Sequence, residues 1–177
     1  VAGVAGVPSN AQSVVLNITM VGSSGPGYLT AYPAGKALPS ASNVNVAAGG
    51  VRANTAVVKV GAGGRINLFV AETNADVIVD VLGSFGPYGG RVTTITPERL
   101  VDSRAGLGTP AQAFGDGEAR TVRIAGRGSV PADATAVIAN VTATNITTWG
   151  FLSVWPGRAA QPASSNLNFL PGQTVPN

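Results

Sequence analysis

The chain has no cysteine and no histidine among its 177 residues. Without thiols there is no disulfide support, no cysteine-based zinc site and no thiol nucleophile. Without imidazole the usual general base and the commonest metal ligand are gone. Charge is scarce too: Asp, Glu, Lys and Arg make up 11% of the residues, under half the roughly one quarter typical of soluble domains. Eleven basic residues against eight acidic ones leave a net charge of +3. That is weak and scattered, with no basic run interleaved with aromatics, so nucleic acid is not an expected partner. No apolar run approaches the roughly 20 residues that span a bilayer, and membrane insertion is not expected. The opening VAGVAGVPSN carries neither Met nor a signal-peptide pattern, so the chain reads as a mature or excised piece of something longer.

What the chain does have is Val, Ala, Gly, Thr, Asn and Pro. Twenty-four Gly and twelve Pro scattered between apolar runs fit many short strands joined by tight turns. Strands are expected near 54–60, 65–71, 76–83, 99–104, 119–125, 136–144, 150–156 and 165–170, with single helical turns near 110–114. VGAGGR (60–65) reads as a glycine-rich hairpin turn. In ADVIVDVLG, Val77, Val79 and Val81 point one way while Ile78, Asp80 and Leu82 point the other. Helical periodicity is missing elsewhere. The expected fold is all-β, an antiparallel β-sandwich of jelly-roll type with about eight short strands per repeat.

The repeat is visible without gaps. Residues 1–54 laid over 124–177 give 18 identities in 54 positions, at a period of 123. SVVLNIT (13–19) lies over AVIANVT (136–142), GYLTAYP (27–33) over GFLSVWP (150–156), and PSASNVN (39–45) over PASSNLN (162–168). A match of this length argues tandem duplication. The expected organisation is residues 1–90 as the C-terminal three-quarters of one β-repeat, 91–95 as linker, and 96–177 as the N-terminal two-thirds of the next. Each part alone would leave open sheet edges, so strands from neighbouring copies or further repeats are expected to complete it.

Three groups of residues are candidates for function. TPERLVDSRAG (96–106) places Arg99, Asp102 and Arg104 among apolar neighbours, where charges must be paired. With Asp80 as a distant partner, these four read first as a structural ion-pair cluster and second as a ligand or interface site. Tyr28, Thr30 and Tyr32 share one face of their strand, as do Phe151, Ser153 and Trp155 in the copy. Tyr28, Tyr32, Phe151 and Trp155 are therefore candidates for stacking on a sugar or for an interface, or else for the core of a strand buried on both faces. Asn17, Asn43, Asn45 and Asn54 recur as Asn140, Asn166, Asn168 and Asn177. Asn is unfavourable inside strands, so these side chains are expected to satisfy backbone at turns or sheet edges. Glycan or Ca²⁺ contact is the lesser reading. Asn17-Ile-Thr, Asn140-Val-Thr and Asn145-Ile-Thr match the glycosylation triplet. No nucleophile–base pair or metal cluster can be assembled, and no catalytic residue, metal or cofactor is expected.

RLVDSR (99–104), together with AVIANVTATN, GFLSVWP, SSNLNF, VVKVGAGGRINLFV and VIVDVLGSF, resembles the tandem β-domains that carry an R-L-x-D-[TS]-R signature. Such domains occur in large secreted and cell-surface proteins of actinobacteria and related bacteria. The resemblance spans essentially the whole chain, out of phase with the family's usual start, and Ser103 stands where Thr is commoner. It implies a secreted β-rich module, often beside cell-wall hydrolases or in long repeat proteins, with no established activity of its own. The expected role is thus structural and extracellular, in a filament, sheath or surface layer, with copies of itself or adjacent repeats as partners. The alternative is a module that binds cell-wall carbohydrate through its aromatic face.

Overall fold

SVVLNITMV places Val14, Leu16, Ile18 and Met20 at every second position. In the computed structural model, which describes all residues except Ala5, Tyr88 and Arg91, these four are fully buried on one face of strand β1 (Ser13–Val21). β1 is the centre of a three-stranded antiparallel sheet, flanked by β4 (Arg52–Lys59) and β6 (Asp76–Phe85). A second antiparallel sheet has β2 (Gly27–Pro33) at its centre, between β3 (Val44–Val46) and β5 (Ile66–Ala71). Leu29 and Ala31 of β2, Val44 and Val46 of β3, and Ala56 and Val58 of β4 close onto the β1 row. The two sheets therefore face each other across one apolar core, as in a β-sandwich. Among the described residues there is no α-helix. The fold is all-β.

Four shorter strands follow: β7 (Thr142–Ala143), β8 (Gly150–Leu152), β9 (Leu167–Phe169) and β10 (Val175–Pro176). β8 pairs with β9 and β7 with β10. Residues divide into two compact units. The first comprises 1–90, 140–154 and 161–177; the second comprises 91–139 and 155–160. Residues 140–154 and 161–177, which match 17–31 and 38–54 in sequence, thus pack in the same unit as the two sheets.

Several expectations are corrected in detail. The VGAGGR turn does not close a hairpin, because β4 pairs with β1 and β5 with β2. It is a crossover between the two sheets, tightened by a single 3₁₀ turn at Ala62–Gly64. A Cβ at Gly61 would run into the backbone of Ala34, so the close approach requires glycine there. In β6, Val77 and Val79 pack on the core, but Val81 is more than one-third exposed. Leu16 pairs with Val81 and Val15 with Gly83, which leaves Leu82 as the extra residue of a bulge and ends the alternation.

No strand forms at 99–104 or 119–125. Around Asp102, backbone bonds to Leu107 and Ala105 close a tight loop, and the Asp102 carboxylate takes the Arg104 N–H. Local side-chain bonding of this kind competes with a ladder. At 119–125, the guanidinium of Arg120 binds the carbonyls of Gln112 and Ala113, and that of Arg123 binds Ala125. Residues 110–114 hold a three-residue turn, Gln112 N–H to Pro110 O, in place of a helical one. Strand 136–144 shortens to β7, the stretch that Val175 and Pro176 pair with.

Ile18→Ala is expected to cost about 2–5 kcal/mol, because a fully buried β1 side chain leaves a cavity in a two-sheet core. Val57→Ala, on the exposed face of β4, should stay within about 0.5 kcal/mol. Urea denaturation of both variants checks this.

Candidate functional site

The odd-numbered face of β1 carries Asn17, which is as fully buried as the core side chains although Ser13, Val15 and Val21 on the same face are half-buried. A buried carboxamide must find partners at both ends. In the ladder Asn17 lies opposite Thr55 of β4 and Asp80 of β6, but its side-chain partners come from far along the chain. Asn17 Nδ2 donates to the carbonyl of Ser165 at 2.6 Å, and Asn17 Oδ1 accepts from Asn177 Nδ2 at 2.8 Å. Asn177 also donates from Nδ2 to the Asn166 carbonyl at 2.5 Å and accepts from the Thr55 N–H at 2.5 Å. Both ends of two carboxamides are thereby used. Asn177 blocks the outer edge of β4, which otherwise presents an unpaired N–H at Thr55. Leu167 and Val175, in the same segment as Ser165 and Asn177, are buried.

Asn166 is itself held by backbone. Its N–H donates to Leu152 O, and its Oδ1 accepts from the Val154 N–H at 2.7 Å. The same bonds occur 123 residues earlier: Asn43 N–H to Leu29 O, and Ala31 N–H to Asn43 Oδ1 at 2.6 Å. The agreement extends further. Thr30 Oγ1 donates to Ala41 O and Ser153 Oγ to Ser164 O. The hydroxyl–carboxamide pairs Ser42–Asn45 and Ser165–Asn168 match, and Asn54 Nδ2 donates to Asn43 O as Asn177 Nδ2 does to Asn166 O. Register matches as well, Tyr28 opposite Asn45 and Phe151 opposite Asn168. These asparagines therefore serve turns and edges, as their unfavourable strand propensity suggests. Asn17 cannot receive a glycan in this fold, since both ends of its carboxamide are occupied.

In the second unit, Arg99, Asp102 and Arg104 come together. Arg104 grips Asp102 with two parallel bonds, Nε to Oδ1 at 2.9 Å and Nη2 to Oδ2 at 2.7 Å, and Arg99 Nη1 adds a third at 3.0 Å. The Arg104 bonds, backbone N–H included, are the main reason that the Asp102 carboxyl is held well below the usual carboxylate range. Both guanidinium groups are more than half exposed, so the cluster shapes a loop more than it stabilises the fold. Asp80 belongs to the first unit, on β6. Among the described residues no group of acidic side chains could hold a metal ion, and no helix is long and apolar enough to cross a membrane.

The aromatic candidates differ among themselves. Leu29 and Ala31 face the core, so Tyr28 and Tyr32 lie on the opposite face of β2, where both are half-buried. Tyr28 packs in a tilted arrangement on Phe69, with centroids 6.5 Å apart. It also lines an open depression of about 370 Å³ with Pro39, Ser40, Ala41, Ser42 and Asn45. Phe151 is 58% exposed on β8, an accessible ring where its counterpart Tyr28 is half-covered. Trp155, in the second unit, is half-buried and donates from Nε1 to Ala159 O. Sequence reasoning assigned the asparagines to turns but missed Asn17 as a junction. The signal for it was a carboxamide in the middle of an apolar strand that recurs at the matched position, Asn140.

Comparison with protein-family models, with curated proteins and with solved structures finds no match for this chain.

Asn17→Ala is expected to destabilise the first unit by about 1–3 kcal/mol, because it removes the donor to the half-buried Ser165 O and leaves Asn177 Nδ2 with the Asn166 carbonyl alone; guanidinium denaturation measures it. For Asp102, a folded pKa below the unfolded value of about 3.9 means that its contribution is present above about pH 4 and is lost as pH falls further. An NMR titration should find the carboxyl still ionised below pH 3, and Arg104→Gln should move its midpoint upward.

Proposed function

We propose that the chain is a structural, non-enzymatic part of an extracellular or cell-surface assembly, a filament, sheath or surface layer. In this reading it is built from jelly-roll-like β-sandwich repeats of 123 residues, which complete one another by supplying strands and side chains across repeat boundaries. One observation carries the reading. The buried Asn17 is satisfied by Ser165 and Asn177, 148 and 160 positions further on, so residues that match the early Ser42 and Asn54 lock onto the preceding sheet. The matched hydrogen bonds at a spacing of 123 support a duplicated unit, and the low charge suits close packing of many copies. The resemblance to tandem domains with the R-L-x-D-[TS]-R signature points the same way.

A carbohydrate-binding module remains the second reading, favoured by the depression beside Tyr28 with its serine and asparagine lining. Stacking on aromatic faces with polar groups at the rim is how such sites hold sugars.

Negative-stain electron microscopy of the native source material should show ordered filaments or sheets with a regular repeat along them. Dispersed particles alone would contradict the assembly reading. Cell-wall glycan pull-down that is lost in Tyr28→Ala and kept in Asn17→Ala would establish the second reading in its place.

A further inference from the structure

The junction uses one set of groups from each side, and the chain carries a second, unused set of each. On the receiving side, Asn17 matches Asn140. Asn17 is fully buried, whereas Asn140 is exposed and its only described side-chain bond is a long one to Thr142 Oγ1 at 3.4 Å. The run that leads into Asn140 is exposed as well. Val137 and Ile138 are 49% and 83% exposed, whereas Val14, the match of Val137, is fully buried in β1.

On the donating side, Ser165 and Asn177 match Ser42 and Asn54. Ser42 is exposed, and its carbonyl accepts none of the hydrogen bonds among the described residues. Asn54 is exposed too. It makes the bond to Asn43 O that Asn177 makes to Asn166 O, but the second Nδ2 proton and Oδ1 are unused among the described residues. Beside it lies an open depression of about 270 Å³ whose lining includes Asn43, Asn45, Arg52 and Asn54, with Pro176 of β10 at its wall. The chain thus presents a vacant socket at one place and a vacant plug at another, with the filled version of the same joint between them.

We propose that a second copy of this chain docks head to tail on the first, with Ser42 and Asn54 of one copy received at Asn140 of the next. Asn140 Nδ2 donates to Ser42 O, and Asn54 Nδ2 donates to Asn140 Oδ1, repeating the bonds that Asn17 makes with Ser165 and Asn177. The occupant is a copy of this chain because the complementary groups are its own. Plug and socket are different surfaces, so the contact is heterologous and leaves a free plug and a free socket after every addition. Association then continues into an open series. This inference rests on the assembly reading above and specifies its contact.

Sedimentation velocity on the whole chain, over a concentration series reaching millimolar, tests it. The weight-average mass should climb without a plateau. Asn54→Ala and Asn140→Ala should each move the series to about tenfold higher concentration, the loss of one well-made polar contact. Both positions are exposed, and the two variants report on the same contact from opposite sides. Mixed together they retain one intact plug and one intact socket, so the mixture should give a 1:1 dimer at concentrations where each alone is monomeric. A wild-type chain monomeric throughout, a mass that stops at dimer, or variants that associate like wild type would overturn the proposal. Limited proteolysis of Asn17→Ala separates the two levels. Release of residues 161–177 in a chain that stays monomeric leaves the internal joint standing and removes the head-to-tail contact; an Asn17→Ala chain as resistant as wild type removes the joint itself.

Discussion

A carboxamide placed in the middle of a sheet and cut off from water has two ends to satisfy, and neighbouring strands use their own groups on each other. Asn17 is in that position. Its solution is to take an acceptor and a donor from a segment well over a hundred residues later, and much of the first unit follows from this. Residues 161–177 are tied to the β1–β4–β6 sheet by Asn17 bonding to Ser165 and Asn177 and by Thr55 bonding to Asn177, each bond adding about 0.5–1.5 kcal/mol net. Leu167 and Val175 of the same segment add apolar burial, so the joint combines directional polar bonds with non-directional apolar contact. That combination favours one register over others of similar apolar content.

The other asparagines show why this residue type recurs in a chain with so little charge. Asn43 and Asn166 each give their own N–H to a strand carbonyl, Leu29 or Leu152, and accept the N–H two residues further on, Ala31 in β2 and Val154 just past β8. They extend a ladder past the point where the backbone turns away. Asn177 closes the β4 edge at Thr55. Lysine or a bulge is the more usual protection of an edge; here a neutral amide does it, without adding charge to the edge. The charged groups that do occur are used locally, Asp102 with Arg99 and Arg104 to close one loop, and Glu118 with Arg120 beside Phe114 to order another.

Much of the first ninety residues could be read from the pattern of apolar positions. β4, β5 and β6 fall where alternation and glycine-rich punctuation put them, and the pairing of Arg99 and Arg104 with Asp102 follows from charges crowded among apolar neighbours. Pairing was harder to read. VGAGGR looks like a hairpin because turn chemistry is local, yet which sheet the next strand joins is decided by burial across the whole core. Residues 119–125 have a strand's composition but not its partners, and Arg120 and Arg123 take the carbonyls that a ladder would need. The role of Asn17 was out of reach of any local pattern, since its partners are distant in sequence and one of them is a backbone carbonyl.

The central claim is that Asn17 and Asn177 act as one unit across the joint. A double-mutant cycle with Asn17→Ala, Asn177→Ala and the pair, followed by denaturant unfolding, measures that directly. A coupling of about 0.5–3 kcal/mol is predicted for two residues that share a buried hydrogen bond. Single effects that add to within about 0.3 kcal/mol would show that the two carboxamides are independent, and would contradict the account.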